Sequence, residues 1–96
     1  MNVAAPYQTE DGSKRLQFYC PGCKSHHFVI VKAKHQPVWK WNGSHSKPTF
    51  RPSVKVTYAL KPKPKLCHFF IRNGKIQYLN DCFHGLKGQT INMVEV

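Results

Sequence analysis

Five prolines in the middle of the chain constrain its fold more than any other feature. They are Pro37, Pro48, Pro52, Pro62 and Pro64. A proline inside a helix removes a backbone hydrogen bond and clashes with the preceding turn, so no helix of about ten residues fits between Pro37 and Lys65. Elsewhere, apolar and polar residues alternate from Leu16 to Cys20, as in a half-buried strand. The sequence therefore predicts a mostly β fold, a small antiparallel β domain with two hairpins and little or no helix.

Two Asn-Gly pairs predict the positions of the hairpins. Both central residues of a type I′ turn need a positive φ, which Asn and Gly adopt readily. We therefore expect two-residue turns at Asn42-Gly43 and Asn73-Gly74. Further strands are expected from Ser53 to Leu60 and from Thr90 to Val94, where β-branched and aromatic residues recur.

The Asn73-Gly74 turn also predicts which side chains share a face of its hairpin. Successive side chains of a strand point to opposite faces, so Cys67 and His68 are expected to point apart. If the ladder continues, Cys82 lies on the Cys67 face, about 7 to 8 Å away along the diagonal. Two thiols of one hairpin are therefore expected to converge.

The chain is short for a protein without an additional stabilising element. A domain of 96 residues buries roughly 60 to 70% of the surface of its unfolded chain, and cores this small are often reinforced by a metal or a disulfide. We expect a flexible N-terminal segment over residues 1–15 and a single zinc-binding β domain over residues 16–96.

Four cysteines provide the ligands for such a metal. Cys20 and Cys23 flank a Pro-Gly pair after a predicted strand, as in a zinc knuckle. The polar N-terminus and the short apolar runs predict an intracellular protein, in which cysteines bind metal more often than they form disulfides. We expect one structural Zn²⁺ held by four thiolates, with three histidines as alternates. The ligands are Cys20, Cys23, Cys67 and Cys82, and the alternates are His84, His68 and His27.

Acidic side chains are too few for several classes of enzyme. Asp81 is the one carboxylate side chain between Gly12 and Val94, whereas paired-carboxylate glycosidases, EF-hands and two-metal nucleases need several. The motifs of zinc deaminases and zinc metalloproteases, which place a Glu beside a metal-binding His, are absent. His68, Asp81 and His84 are left as a polar cluster that would serve a zinc hydrolase or hydrogen-bond the zinc ligands. The sequence favours the second role, and a binding protein over an enzyme.

Positive charge indicates an acidic partner. The 15 Lys and Arg residues against 4 Asp and Glu give a formal net charge of +11, above the magnitude of roughly 2 to 8 that keeps a small domain soluble. Cations interleaved with aromatic rings suit single-stranded DNA or RNA, because phosphates bind the cations and bases stack on the rings. The expected contact residues are Trp41, Lys47, Arg51, Lys55, Lys61, Lys63 and Lys65.

An acidic host protein is the alternative partner. In that interpretation the protein binds and inhibits a polymerase or a defence factor through the same charge complementarity. Neither a membrane partner nor a small-molecule substrate is expected.

A series of short motifs between Phe18 and Val94 carries a family resemblance. The motifs are Cys20-Pro-Gly-Cys23, Trp41-Asn-Gly43, Pro48-Thr-Phe-Arg-Pro-Ser53, Cys67-His-Phe-Phe-Ile71, Gly74-Lys-Ile76 and Asp81-Cys-Phe-His84-Gly-Leu-Lys-Gly-Gln89. In this order they resemble a family of small phage and prophage proteins that have no assigned function or are misnamed ammonia monooxygenase. The resemblance implies a zinc-binding β domain of phage origin in the cytoplasm of a bacterial host. It does not itself argue for nucleic-acid binding.

Overall fold

The structure, a computed structural model, describes residues 2–8, 10, 12–34, 38–59 and 64–96. These residues contain eight strands and no helix, so none of them forms a helix able to cross a membrane. The strands are β1 (Ala5–Gln8), β2 (Lys14–Cys20), β3 (Ser25–Lys32), β4 (Lys40–Trp41), β5 (Phe50–Tyr58), β6 (Lys65–Arg72), β7 (Lys75–Tyr78) and β8 (Thr90–Asn92). They form two antiparallel sheets, in the orders β1-β2-β3 and β4-β5-β6-β7-β8. The prediction of a mostly β fold is confirmed.

The second hairpin has the predicted turn and register. Asn73 and Gly74 both have positive φ, at 50° and 77°, and Arg72 lies opposite Lys75. Along β6 the side chains alternate between buried and more exposed, because one face packs on the other sheet and one faces solvent. Cys67 accordingly lies in the core, and His68 points to the outer face of the large sheet.

The core lies between the two sheets and is centred on aromatic rings. Phe18 of β2 stacks on Phe50 of β5 with ring centroids 6.3 Å apart, and it meets Phe69 of β6 edge to face at 5.8 Å. All three side chains are buried, and each such burial stabilises the fold by about 1.5 to 3 kcal/mol. This packing fixes the position of β5 and β6, whose outer faces remain available for a site.

The Asn42-Gly43 pair does not form the predicted two-residue turn. Trp41 pairs with Phe50, so residues 42–49 make a longer loop between β4 and β5. Asn42 organises this loop, since its side-chain oxygen accepts hydrogen bonds from the amides of Ser44 and Thr49, each at 3.1 Å. A side chain that binds loop amides in this way offers the backbone an alternative to a hairpin ladder.

The N-terminal segment contains the first strand, and the flexible stretch expected over residues 1–15 stays a prediction. Within its described part, β1 pairs with β2, and Pro6 lies opposite Leu16. Val3 and Ala4 are buried in the core, and both of their amides donate to the carbonyl oxygen of His45. The apolar Val3 and Ala4 therefore close one end of the core.

Candidate metal centre and active site

Three thiols and one imidazole converge between the sheets. The side chains are Cys20, Cys23, Cys67 and His84, and their ligand atoms all lie within 4.8 Å of one another. Cys20 ends β2, Cys23 follows in the next turn, Cys67 lies in the middle of β6 and His84 belongs to the loop after β7. The sulfur atoms of Cys20 and Cys67 are 4.0 Å apart, and Nε2 of His84 is 3.3 Å from the Cys67 sulfur.

These distances fit a tetrahedral metal ion. With metal–sulfur bonds of about 2.3 Å and a metal–nitrogen bond of about 2.0 Å, the edges of the tetrahedron are about 3.8 Å between sulfurs and about 3.6 Å between sulfur and nitrogen. All four cysteines of the chain are free, so no disulfide competes for the thiols. The cluster could therefore hold a metal ion, and its four protein ligands would leave no open position.

Hydrogen bonds divide the thiols into one that ionises easily and two that do not. The hydrogen bond from Cys67 lowers the pKa of Cys20 to about 3, whereas the same bond, together with burial, raises the pKa of Cys67. Burial raises the pKa of Cys23. The Tyr78 hydroxyl lies 3.1 Å from the Cys20 sulfur, and burial raises the pKa of Tyr78 so that it remains a donor. Without a metal the site thus stabilises one thiolate, that of Cys20. A bound cation would stabilise the thiolate forms of Cys23 and Cys67, which metal binding requires.

The structure places Cys82 outside this cluster and His84 inside it. The chain leaves the sheet after β7 through a turn in which the Cys82 amide donates to the Leu79 carbonyl at 3.2 Å. The side-chain alternation used to predict Cys82 therefore stops before it reaches that residue. The Cys82 sulfur accepts a hydrogen bond from the His68 amide at 3.2 Å and donates to the His68 carbonyl at 3.0 Å.

The two other predicted alternates are not among the four converging side chains, although His27 lies close enough to Cys20 to act together with Cys67 in lowering the pKa of that thiol. His68 points to the outer face of the sheet, away from the neighbouring Cys67. His27 is buried and stacks on Phe69 with ring centroids 6.0 Å apart. Of the three alternate histidines, the cluster includes His84.

Gly22 makes room for the His84 ligand. A Cβ atom on Gly22 would overlap the His84 ring, so alanine there must displace the imidazole. We expect Gly22→Ala to weaken the binding of a metal ion to the cluster roughly 10- to 100-fold, the effect of disturbing the support of a metal ligand. Competition with a chelating dye measures this affinity. Gly85→Ala is the matched control, because its Cβ would meet no atom within 4 Å; equal affinities for the two variants would contradict the proposed packing.

A second group of polar side chains lies on the outer face of β6, opposite the face that carries Cys67. The Ser53 hydroxyl is 3.0 Å from Nε2 of His68, and Nδ1 of His68 is 3.1 Å from a carboxylate oxygen of Asp81. With the proton on Nδ1, His68 donates to Asp81 and accepts from Ser53. This is the order of contacts in a Ser-His-Asp triad, which is recognised by geometry rather than by sequence position.

Strand pairing brings these three residues together. Lys55 of β5 lies opposite His68, so Ser53, two residues earlier, is at the diagonal position on the same face. On the other side Leu79 follows β7 and donates its amide to the His68 carbonyl at 3.0 Å, and the turn that begins at Leu79 brings Asp81 to the His68 ring. Three consecutive chain segments of the sheet thus contribute one member each.

A local irregularity in β5 surrounds Ser53. The register shifts between Phe50 and Val54, where Pro52 has no amide to donate to the ladder. Such bulges re-aim side chains and recur beside active sites. The Ser53 carbonyl is held by the indole N–H of Trp39 at 3.2 Å.

The triad is open to solvent on its Asp81 side. The side chain of His68 is 23% exposed and that of Asp81 is 50% exposed, so a substrate can reach the serine and histidine from the outer face of the sheet. A hydroxyl beside a base that is itself oriented by a third group is the arrangement of an activated nucleophile. The geometry can therefore support acyl transfer.

Sequence reasoning missed Ser53 and included two of its partners. His68 and Asp81 were grouped with His84, but His84 belongs to the metal cluster on the other side of the sheet. Side-chain alternation along β5 and β6 could have placed Ser53 and His68 on the same face of the sheet. It shows that they are neighbours only when the register between the two strands is known. No turn in the sequence fixes that register.

The predicted contact residues are spread over several surfaces. Trp41 and Arg51 line one depression of about 360 Å³, Lys47 and Lys55 are exposed, and the Lys65 ammonium lies 5.3 Å from the centroid of the Phe83 ring. Lys61 and Lys63 lie outside the described residues. The prediction of a nucleic-acid face stays a prediction.

The fold and the site define a small β protein with a Ser-His-Asp constellation beside a Cys₃His cluster. A protein-family model described as bacterial ubiquitination-like system serine protease (BubE) matches residues 2–79, and the chain belongs to this family. The matched segment includes Ser53 and His68 and ends just before Asp81. No curated protein and no solved structure shows a significant match. These findings do not bear on the resemblance to phage proteins, which stays a prediction.

Proposed function

We propose that this chain is a serine protease of a bacterial ubiquitination-like system, with Ser53 as the nucleophile. The observation that carries the proposal is the continuous hydrogen-bonded series from the Ser53 hydroxyl through His68 to Asp81. Membership of a family described as serine proteases supports the same reaction class. The expectation of a binding protein without catalysis is less well supported, because it gives this series no role.

The proposed reaction is acyl transfer in two steps. The Ser53 oxygen attacks the carbonyl carbon of the scissile bond while Nε2 of His68 takes the hydroxyl proton. His68 then gives that proton to the leaving amine, and the acyl group stays on Ser53 as an ester. Water, deprotonated by His68, attacks the ester and releases the carboxylic acid and the free serine. Asp81 keeps the His68 ring in the productive tautomer and stabilises its charged form.

We also propose that the metal is zinc and that its role is structural. Three thiolates and an imidazole are ligands that Zn²⁺ prefers, and a closed set of four protein ligands is typical of structural zinc. Bound zinc would supply folding energy. Cys67 as a ligand and His68 as a base are consecutive residues, so the ion would hold the strand that carries the base.

A fluorophosphonate probe tests the proposed nucleophile directly. Such probes react with serines that a neighbouring base activates, so we expect labelling of the wild-type protein at Ser53 and none in Ser53→Ala. Mass spectrometry of the labelled peptide identifies the site. Ser46→Ala is the matched control, because Ser46 is an exposed serine of the loop between β4 and β5. Equal labelling of Ser53→Ala and wild type would overturn the assignment.

Binding of nucleic acid remains a second proposal. The net charge of +11 and the depression that Trp41 and Arg51 share support it. An affinity for random oligonucleotides that falls steeply between about 50 and 200 mM salt would be its signature. Docking on an acidic host protein predicts instead a nuclease-resistant complex.

A zinc hydrolase built on His68, Asp81 and His84 has less support. His84 belongs to a cluster that already has four ligand atoms, whereas His68 and Asp81 are on the outer face with Ser53. A catalytic zinc needs an open position for water.

A further inference from the structure

A depression opens beside Ser53 on the outer face of the large sheet. Its volume is about 320 Å³, and it is lined by Phe50, Arg51, Pro52, Phe70 and Arg72. Pro52 directly precedes Ser53 in the chain. Phe70 and Arg72 follow His68 at alternate positions, so they share its face of β6. The depression therefore adjoins both the proposed nucleophile and the proposed base.

Two guanidinium groups border this depression. Arg51 is exposed, and the Arg72 guanidinium lies 4.4 Å from the centroid of the Phe70 ring. Arg72 donates a hydrogen bond to the side-chain oxygen of Gln77 at 3.4 Å, a neutral partner. In the part of the chain that the structure describes, Asp81 pairs with His68, and no carboxylate pairs with Arg51 or Arg72. The positive charge of the two arginines is therefore uncompensated by any described carboxylate.

Positive charge continues from this depression toward the edge of the sheet. Lys40 of β4 lies opposite Arg51 of β5, and the two residues line the adjacent depression. Cations on neighbouring strands add their potentials, which attracts an acidic segment of a substrate and repels a basic one. The surface next to Ser53 is thus electrostatically selective.

We propose that the depression between Arg51 and Arg72, the acidic-residue subsite, binds an Asp or Glu side chain of the peptide substrate. The inference rests on the proposed protease function and adds its substrate preference. Guanidinium groups bind carboxylates with charge-assisted hydrogen bonds, and the Phe70 and Pro52 side chains would pack against the methylene groups of the acidic residue.

The position of the subsite also specifies where the acidic residue falls. Arg51 precedes Ser53 by two residues, so their Cα atoms are at most about 7 Å apart. A substrate chain bound in an extended form covers that distance with about two residues. The acidic residue is therefore expected about two positions from the scissile bond. We favour a substrate side chain over a nucleic-acid backbone as the occupant, because the depression adjoins the proposed nucleophile.

A positional library of internally quenched peptides tests the preference. Each pool fixes Glu or Gln at one position on either side of the scissile bond, so that only charge differs between paired pools. For wild-type protein we expect kcat/KM to be roughly five- to tenfold higher for Glu than for Gln at one position, as suits a carboxylate between two partly exposed cations. The preference should fall as salt is raised from about 50 to 500 mM.

Variants of the two arginines assign the preference to this subsite. Arg51→Gln combined with Arg72→Gln should bring the Glu-to-Gln ratio close to one, and Arg51→Glu combined with Arg72→Glu should create a preference for Lys. The matched control is Lys32→Gln combined with Lys87→Gln, which removes two exposed charges elsewhere. A control that loses the preference as fully as the arginine variant would indicate general attraction by net charge and overturn the inference.

Failure of the subsite and failure of the protease function give different results. A protein that the fluorophosphonate labels at Ser53 but that prefers no acidic position, or cleaves no pool, overturns the acidic-residue subsite alone. A protein that is not labelled and cleaves nothing overturns the protease function itself. If oligo(dT) binding, rather than peptide cleavage, is what the arginine variants lose, the surface is a nucleic-acid site and the inference is wrong.

Discussion

Replacement of Ser53 by alanine is expected to lower kcat for peptide hydrolysis by roughly 10⁴- to 10⁶-fold. Without the hydroxyl no acyl-enzyme can form, and only the weak contribution of substrate positioning remains. The side chain is half-buried and on the outer face, so Tm should change little. Hydrolysis assays with the quenched peptides of the library measure kcat, and thermal melting measures Tm.

The partners of Ser53 should show smaller and non-additive losses. His68→Ala removes the base and should cost nearly as much as Ser53→Ala, since residues that act as a unit fail together. Asp81→Asn should cost roughly 10²- to 10⁴-fold, because a carboxylate that is 50% exposed is partly screened by water. Ser46→Ala should leave kcat unchanged. Independent, additive losses in the double variant of Ser53 and His68 would contradict the triad.

Replacement of Cys67 by serine is expected to release the metal and unfold the domain. Apparent binding energies of structural zinc are on the order of 10 kcal/mol, comparable with the whole stability of a domain of this size. We expect elemental analysis of wild-type protein to give one zinc per chain, and that of Cys67→Ser to give none. The melting transition of Cys67→Ser should be lost, as should that of wild type after chelation.

Cys82→Ser is the matched control for this experiment. Cys82 is also buried, but its sulfur contacts the His68 backbone rather than the cluster. The variant should therefore keep one zinc and a melting transition. Loss of zinc from Cys82→Ser as well as from Cys67→Ser would instead support the four-sulfur site expected from the sequence.

The residues near the Asn73-Gly74 turn could be predicted well because the turn fixes their register. A two-residue turn needs positive φ at both positions, which only a few residue types adopt readily. From that turn followed the opposite faces of Cys67 and His68, and hence the separation of a buried thiol from a partly exposed imidazole. The predicted register extends to the pair formed by Phe69 and Tyr78.

Ser53 could not be predicted, because nothing local fixes its strand against β6. The residues between β5 and β6 include Pro62 and Pro64 and contain no Asn-Gly or similar two-residue turn signal, so the sequence does not specify the pairing of Lys55 with His68. The irregularity at Pro52 shifts the register again. In the sequence Ser53 is one polar residue among many, and only its contact with His68 in the fold identifies it as a candidate nucleophile.

The presence of His84 in the cluster, where the sequence predicts Cys82, has a different physical cause. Side-chain alternation holds only within a ladder, and β7 ends at Tyr78. Beyond it the chain turns, and Gly22 of the opposite sheet leaves space that an imidazole fills. That space is created by two segments far apart in sequence, so no pattern within either of them indicates it.

The adjacency of Cys67 and His68 has a consequence for how this protein can change over time. Point substitutions could alter either site separately, since the two side chains lie on opposite faces of β6. Insertion or deletion of one residue between His68 and the Asn73-Gly74 turn would instead exchange the faces, turning the thiol to solvent and the imidazole into the core. Both sites would be lost in a single event. The length of β6 is therefore under a stricter constraint than most of its individual residues.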